Sequence, residues 1–501
     1  MTSITRQAAW RGDDFPSWLS PMIVKELRQG VQSGGFAWTF MGLQAVMCLV
    51  MSLGVSTVDL AARGAREGFE FFFWLAVTVA VLFVVPLRGL GAISGEQAGH
   101  KLDLVQLTQL SATKIVLGKW LAILAQALLL VTAILPYVVL RYFFGNVNVI
   151  SSLATIGWLS AGSMVVAAGA IALSTKPLWV RVLAGAAVAM LALPLFSVVG
   201  RGGISIVFFG LGVGTGVLPA VSSWGLVLAL YTVALLEYSA AVIAPVAENH
   251  ALRKRLLSLT LGVVWLWGAA WASVEAASWI MAVTLPLVLA FAIGAILEQP
   301  VHLRSQAAAF VKLGLLGRPA AWLLTPGWPS GLVFVLVMSA MCLQAWFWLL
   351  ERWPAITSSY DAFAFGTLLA AAVLFPLPLL VRLPRMLHRL LIYLIVQGLT
   401  FLPFTFASVM KPYSIQWHDW TPGWVSMLPL PMASIGSLVA SNGNGMIAFY
   451  SIAASGIVAA ITCLLLFAPW WREMRRAGRL LAETTVASKR RSTAAGAGAT
   501  G

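Results

Sequence analysis

Long apolar runs alternate with short polar stretches along nearly the whole chain. Runs of about 18 or more largely apolar residues, enough to cross a hydrocarbon core of about 30 Å, fall near 36–55, 71–87, 120–140, 150–174, 182–199, 222–244, 257–273, 278–297, 331–350, 362–381, 390–408 and 447–469. Each run predicts a transmembrane helix. A further apolar stretch, Gly203 to Ala220, is rich in glycine, carries Pro219 and leaves no room for a loop on either side. It predicts a re-entrant or broken hairpin, a backbone form that survives at membrane depth only where other protein covers it. The expected fold is an all-α integral membrane protein, a polytopic bundle of about 12 transmembrane helices with a re-entrant segment near 203–220.

Between the runs, four polar stretches carry pattern of their own. Residues 1–35 form a lead-in in which Ser20-Pro21 has the form of a helix start. Ile23, Leu27 and Val31 then recur every four residues, with Lys25, Glu26 and Arg28 opposite. This spacing predicts a short amphipathic helix on the membrane surface, a basic solvated flank being the alternative. Residues 88–119 are longer than a connection between spans needs, which points to function. Here Leu102, Leu104, Val105, Leu107 and Leu110 make an apolar stripe, with Glu96, Lys101 and Asp103 on the polar side, and Ser111 is placed to start a helix running into the third span. Residues 298–330 end in the turn-rich TPGWPSG, and the loop 409–446 is rich in proline and tryptophan. Four regions follow: a lead-in over 1–35, a six-span unit over 36–255, a second six-span unit over 256–470, and a basic tail over 471–501 whose last residues are expected to be disordered.

Composition narrows the class. The chain has 501 residues, 60% hydrophobic and 10% charged, where soluble domains hold about 45–50% and 25%. That excludes a soluble globular protein, a disordered chain and a disulfide scaffold. The net charge of +15 has two readings, a nucleic-acid footprint or an orientation signal. With the N-terminus in the cytosol and 203–220 not counted as a span, 26 of the 32 basic residues fall inside and 6 outside. Counting 203–220 as a span would put Arg253, Lys254 and Arg255 outside. The charge therefore reports orientation, with both termini cytosolic. The basic clusters sit at span ends without interleaved aromatics, so no nucleic-acid partner is expected, and membrane lipid is. The polar first 35 residues, with Asp13 and Asp14, do not have the form of a cleavable signal peptide.

The inventory of reactive groups is sparse. No GxxxxGK[ST] phosphate loop occurs, and GLGVGTG at 210–216 does not fit a dinucleotide fingerprint. The histidines 100, 250, 302, 388 and 418 lack metal spacing, and Cys48, Cys342 and Cys463 lie far apart within predicted spans. No cofactor, metal or catalytic constellation is expected. Glu237 is the only acidic residue well inside a predicted span. Lipid exposure of a carboxylate costs about 2.5–3.5 kcal/mol on insertion scales, so it should face the bundle interior, either in a transport pathway or as a structural bond between helices.

Several of these segments resemble one family. PMIVKELRQG at 21–30 resembles the N-terminal interfacial helix of ABC-2-type transporter permeases. Glu96, LDLVQLTQL at 102–110 and VLGKW at 116–120 are similar to their cytosolic coupling region, and IAPVAENHALRKR at 243–255 to the end of their sixth span. A re-entrant stretch before the sixth span, here 203–220, is also a family feature. The resemblance covers about residues 15–255, and no second copy of the coupling motif appears in 256–501. It implies the membrane subunit of a transporter in the bacterial cytoplasmic membrane, driven by a separate ABC ATPase subunit and paired as a homodimer or with another permease. It also implies that Lys25, Glu26, Arg28, Glu96, Asp103, Leu104, Leu107 and Thr108 form the ATPase-docking surface. The competing expectation is a polytopic anchoring or assembly protein without transport. A membrane enzyme is disfavoured by the dispersal of acidic residues over the outer loops.

Overall fold

A computed structural model of the chain describes residues 21–58, 63–94, 111–143, 149–178, 180–182, 217–244, 249–272, 274–300, 304–312, 314, 317–352 and 445–498, with scattered positions between 380 and 399. Among these residues all regular structure is helical. Six helical stretches are long and apolar enough to cross a membrane: Gly34–Gly54, Phe69–Gly91, Ala112–Phe143, Val149–Ser174, Gly225–Ile243 and Trp328–Leu349. Each coincides with a run predicted from the sequence. The chain is a multi-pass membrane protein. The runs expected at 182–199 and 362–381, and most of 390–408, lie outside the described residues, as does most of 203–220.

The chain divides into two compact units, Met1–Ala244 and Pro245–Gly501. The division falls ahead of the boundary expected at 255, because Arg253–Arg255 belong to the first helix of the second unit.

In the first unit, α1 (Pro21–Val31) precedes α2 (Gly34–Val58). Next, α3 (Arg63–Thr78) continues through a π-helical stretch (Val79–Val84), one turn (Val85–Leu87) and a 3-10 turn (Arg88–Gly91). Pro86 explains the change of winding. It has no N–H to donate to the preceding turn and its ring crowds the carbonyl four residues back, so the ladder widens around it. After these come α4 (Ala112–Phe143), α5 (Val149–Ser174) and α6 (Val217–Ile243). α4 is the hub, packing against α1, α2, α5 and α6. Its inward side chains Val116, Leu130, Ile134 and Val138 join Met47, Phe73, Val77, Val81 and Ile171 in one buried cluster. Large apolar side chains also cover the outside, among them Trp38, Leu49, Phe143 and Ile150. A water-facing surface would not carry them, whereas hydrocarbon makes no demand for polar cover.

The second unit begins with α7 (His250–Trp271) and α8 (Val274–Leu297). Two short helices follow, α9 (Arg304–Val311) and α10 (Gly317–Leu324), and then α11 (Trp328–Arg352). α11 packs against both α7 and α8. α7 opens on charged residues 253–255 and is not among the six membrane-length apolar helices; α8 contributes a shorter apolar stretch, Val283–Leu297. The last element, α12, runs from Gly445 to Gly498 over 54 residues, a length of about 80 Å at 1.5 Å per residue. One crossing uses only part of that, so α12 continues past the apolar run as a charged extension. The tail expected to end in disorder is helical to Gly498. The extension packs on α9, where Leu481 meets Phe310 and Ala321. This long-range apolar contact supplies the stability that an isolated alanine- and arginine-rich helix lacks.

Candidate functional site

The predicted interfacial helix is present as α1, starting at Pro21. Lys25 and Arg28 are exposed, as a solvent- and headgroup-facing edge requires, while Val24 is buried. Glu26 is turned inward instead. Its carboxylate lies 3.4 Å from the Lys119 ammonium, and the Lys119 side chain is 5% exposed. An ammonium this deeply buried needs a partner, and removing one member of such a pair costs several kcal/mol. The contact joins KELRQG to VLGKW, two of the segments that carry the family resemblance.

A second tie runs beside it. Arg88 donates to Gln126 Oε1 at 2.7 Å and to the Ser33 hydroxyl, and its guanidinium lies 5.7 Å from the centre of the Phe36 ring. It thus joins the 3-10 turn after α3 to the α1–α2 turn and to α4. Gly30 lets this happen, since a Cβ there would stand 2.1 Å from Gln126 Nε2. From the other side Arg181 donates to the Leu90 carbonyl at 3.2 Å and to the Ser94 hydroxyl at 2.9 Å. α4 begins directly after Ser111, whose carbonyl accepts from Lys114 N at 2.9 Å. Both stems of the segment 95–110 are therefore held. Glu96, Asp103, Leu104, Leu107 and Thr108 themselves lie outside the described residues.

Glu237 is buried on α6, facing the interior as its charge demands, and it is not without a partner. On the adjacent residue, Tyr238, the ring sits 5.1 Å from the Lys176 ammonium. Toward the end expected to lie outside, Arg141 is 3% exposed. It pairs with Glu70 and lies 4.6 Å from the centre of the Phe73 ring and 5.1 Å from that of Trp74.

In the second unit the dominant charged group is Arg255, which is 1% exposed. Nη1 donates to the carbonyls of Leu323 (2.9 Å) and Thr325 (2.7 Å) and to the Ser330 hydroxyl (2.8 Å). Nη2 donates to Glu298 Oε2 (3.0 Å) and to the Gly327 carbonyl (3.2 Å). Lys254 reaches the other oxygen of Glu298 at 3.6 Å. Burial pulls the Arg255 guanidinium below its ordinary value, opposed by the adjacent Glu298 carboxylate; the group stays cationic because an arginine begins so high. Gly327 has φ +128°, and a Cβ there would stand 2.7 Å from Pro300 Cα. The TPGWPSG turn is thus a folded cup for one guanidinium. Asn249 completes the knot, accepting from Leu252 N at 3.1 Å as the cap of α7 and donating to the Leu324 carbonyl at 3.4 Å.

Sequence reasoning missed Lys119, Arg88, Gln126 and the Arg255–Glu298 pair as structural centres. Only the turn-rich TPGWPSG gave a signal. Among the described residues no group of three or more His, Cys, Asp and Glu is placed to hold a metal ion. The arrangement is mechanical: charged pairs bind the ends of helices to one another and to short surface helices. The chain matches no family model, no curated protein and no solved structure in the comparisons with known proteins.

Proposed function

We propose that the chain is the membrane-spanning permease subunit of an ATP-driven ABC-2-type transporter, exporting its substrate with a separate ATPase subunit from the bacterial cytoplasmic membrane. The topology in this reading is twelve spans with both termini cytosolic and 203–220 re-entrant. The observation that carries it is the Glu26–Lys119 contact. It seats an exposed amphipathic helix on the start of the third span, directly after the segment 95–110, whose stems are pinned by Arg88 and Arg181. A partner that grips α1 and 95–110 has a short mechanical path into the bundle, through Lys119 and Gln126 into α4 and through Arg88 into the Phe69–Gly91 rod. Binding energy spent at that corner biases one arrangement of the helices over another, which is how a soluble motor moves a membrane bundle. Glu96, Asp103 and Thr108 supply polar contacts in this account, and Leu104 and Leu107 the apolar ones.

The test is co-purification of the full chain with a candidate ABC ATPase subunit. Retention of the ATPase by the wild type, and its loss on Glu96→Ala with Leu104→Ala, is the expected result. Undiminished retention by that double variant overturns the docking assignment.

A further inference from the structure

One feature of the second unit has no part in ATPase docking as proposed above. The extension of α12 and the short helix α10 enclose a cleft of about 360 Å³. Its rim is made of Arg318 and Trp322 from α10 and of Trp471, Arg475 and Arg479 from α12. All five are exposed. Its floor includes Met474 and Leu481, both buried. Among the described residues that line it there is no carboxylate. Three guanidinium groups over an apolar floor call for a ligand that is anionic at one end and apolar at the other.

The order of the residues says how such a ligand would lie. Trp471, Arg475 and Arg479 recur at four-residue steps, so they share one face of α12. Arg318 and Trp322 are spaced the same way on α10. α10 leads through the turn at 325–327 into α11, whose apolar span opens at Trp328, and α12 at this point has just left its own apolar run. On each helix the tryptophan is therefore nearer along the chain to an apolar span than the arginines are. The step from Trp471 to Arg475 rises about 6 Å, comparable with an interfacial layer roughly 5–8 Å thick. Aromatic residues cluster at this level of α12. Phe467 stacks on Trp471 with ring centres 6.4 Å apart, and the Trp470 indole donates to the Pro329 carbonyl at 3.0 Å. Tryptophan favours the boundary between acyl chains and headgroups. Arg475 lies over the Trp471 ring at 4.8 Å, which fixes the guanidinium while leaving its N–H groups to donate.

We propose that this cleft is a binding site for an anionic phospholipid, with the phosphodiester between Arg318, Arg475 and Arg479 and the glycerol end against Trp322 and Trp471. Basic pockets at the cytoplasmic ends of membrane helices hold anionic headgroups by the same forces, and arginine matches phosphate with paired N–H donors. The bound lipid ties the α12 extension to α10, and hence to the turn that holds Arg255. The inference rests on the membrane reading of the spans and not on the permease reading, because lipid binding is measured without any ATPase.

The experiment is native mass spectrometry of the full chain in detergent, titrated with phosphatidylglycerol and separately with phosphatidylcholine. Phosphatidylglycerol is expected to bind in preference to phosphatidylcholine. Arg475→Ala with Arg479→Ala should weaken phosphatidylglycerol binding about 30-fold, the effect of two arginines near an anionic surface. Arg318→Ala, on the opposite wall, should weaken it in the same direction. Arg472→Ala with Arg476→Ala removes the same charge from the same helix away from the cleft and should leave binding within about threefold of wild type. Unchanged binding in the Arg475/Arg479 variant, or an equal loss in both double variants, overturns the site. Displacement of the lipid by excess inorganic phosphate overturns the lipid assignment in favour of a free anion.

Discussion

Arg255 offers the sharpest test of the second unit, because its environment is so complete. Replacing it with alanine removes the donor to three backbone carbonyls, one hydroxyl and the Glu298 carboxylate. Breaking a buried ion pair by deleting one partner costs about 3–5 kcal/mol. Glu298 keeps Lys254 at 3.6 Å and its side chain is 16% exposed, so the stranded carboxylate is not wholly uncompensated. The cost should sit toward the lower end of that range, about 3 kcal/mol. Glu298→Gln leaves the guanidinium buried but still bonded to its neutral acceptors, and should cost about 1.5–3 kcal/mol, the worth of a bond to a charged group. The double variant removes both members of the buried pair and leaves only the partly exposed Lys254 without its carboxylate. Its cost should fall short of the sum of the singles by about 1–2 kcal/mol. The assay is SDS-induced unfolding of the full chain in mixed micelles, followed by tryptophan fluorescence and by protease resistance of the second unit. Arg255→Ala within about 0.5 kcal/mol of wild type, or costs that add within the same margin, would refute the account of the turn as a cup for this guanidinium.

Other outcomes follow from single contacts. Gly327→Ala must strain a backbone at φ +128° and meet Pro300, so it should cost more than about 3 kcal/mol, whereas Gly314→Ala, at φ +58° with open space around it, should cost about 1–2; the same unfolding assay ranks them. Lys119→Met should release Glu26 and loosen α1, read as faster limited proteolysis within 21–31 and a loss of about 3 kcal/mol, the low end for a buried pair because Glu26 keeps some exposure. Glu237→Gln keeps size and hydrogen bonding, so an unchanged protein level with unchanged export would assign Glu237 a structural role, and lost export at normal level a place in the pathway. A cysteine at the exposed position 253 should resist a membrane-impermeant thiol reagent in intact cells and react in inverted vesicles; labelling from outside would overturn the re-entrant reading of 203–220.

Six span positions were legible because a crossing needs a long, largely apolar run. α1 was legible from its four-residue apolar spacing and its Ser-Pro start. The role of its acidic residue was not. Periodicity put Glu26 among the polar positions, but only the fold brings Lys119, 93 positions away, to it. Arg255 was read as one of many inside-facing charges. Counting charges by side of the membrane cannot separate a solvated arginine from one enclosed by a turn some 70 residues later, as Arg255 is by Thr325. The packing of the α12 extension was hidden for a related reason. The charged stretch after Trp471 carries no local pattern that names a partner, and the apolar contact of Leu481 with Phe310 that holds it is invisible to local sequence.

The most direct measurement of the central claim is ATP hydrolysis by a co-purified ABC ATPase subunit, assayed with the full chain in lipid vesicles. The account predicts that the wild-type chain alters the rate of hydrolysis, and that Glu96→Ala with Leu104→Ala abolishes that effect while the chain itself remains folded. An unaltered rate in the presence of the wild-type chain, or full coupling by the double variant, would contradict it.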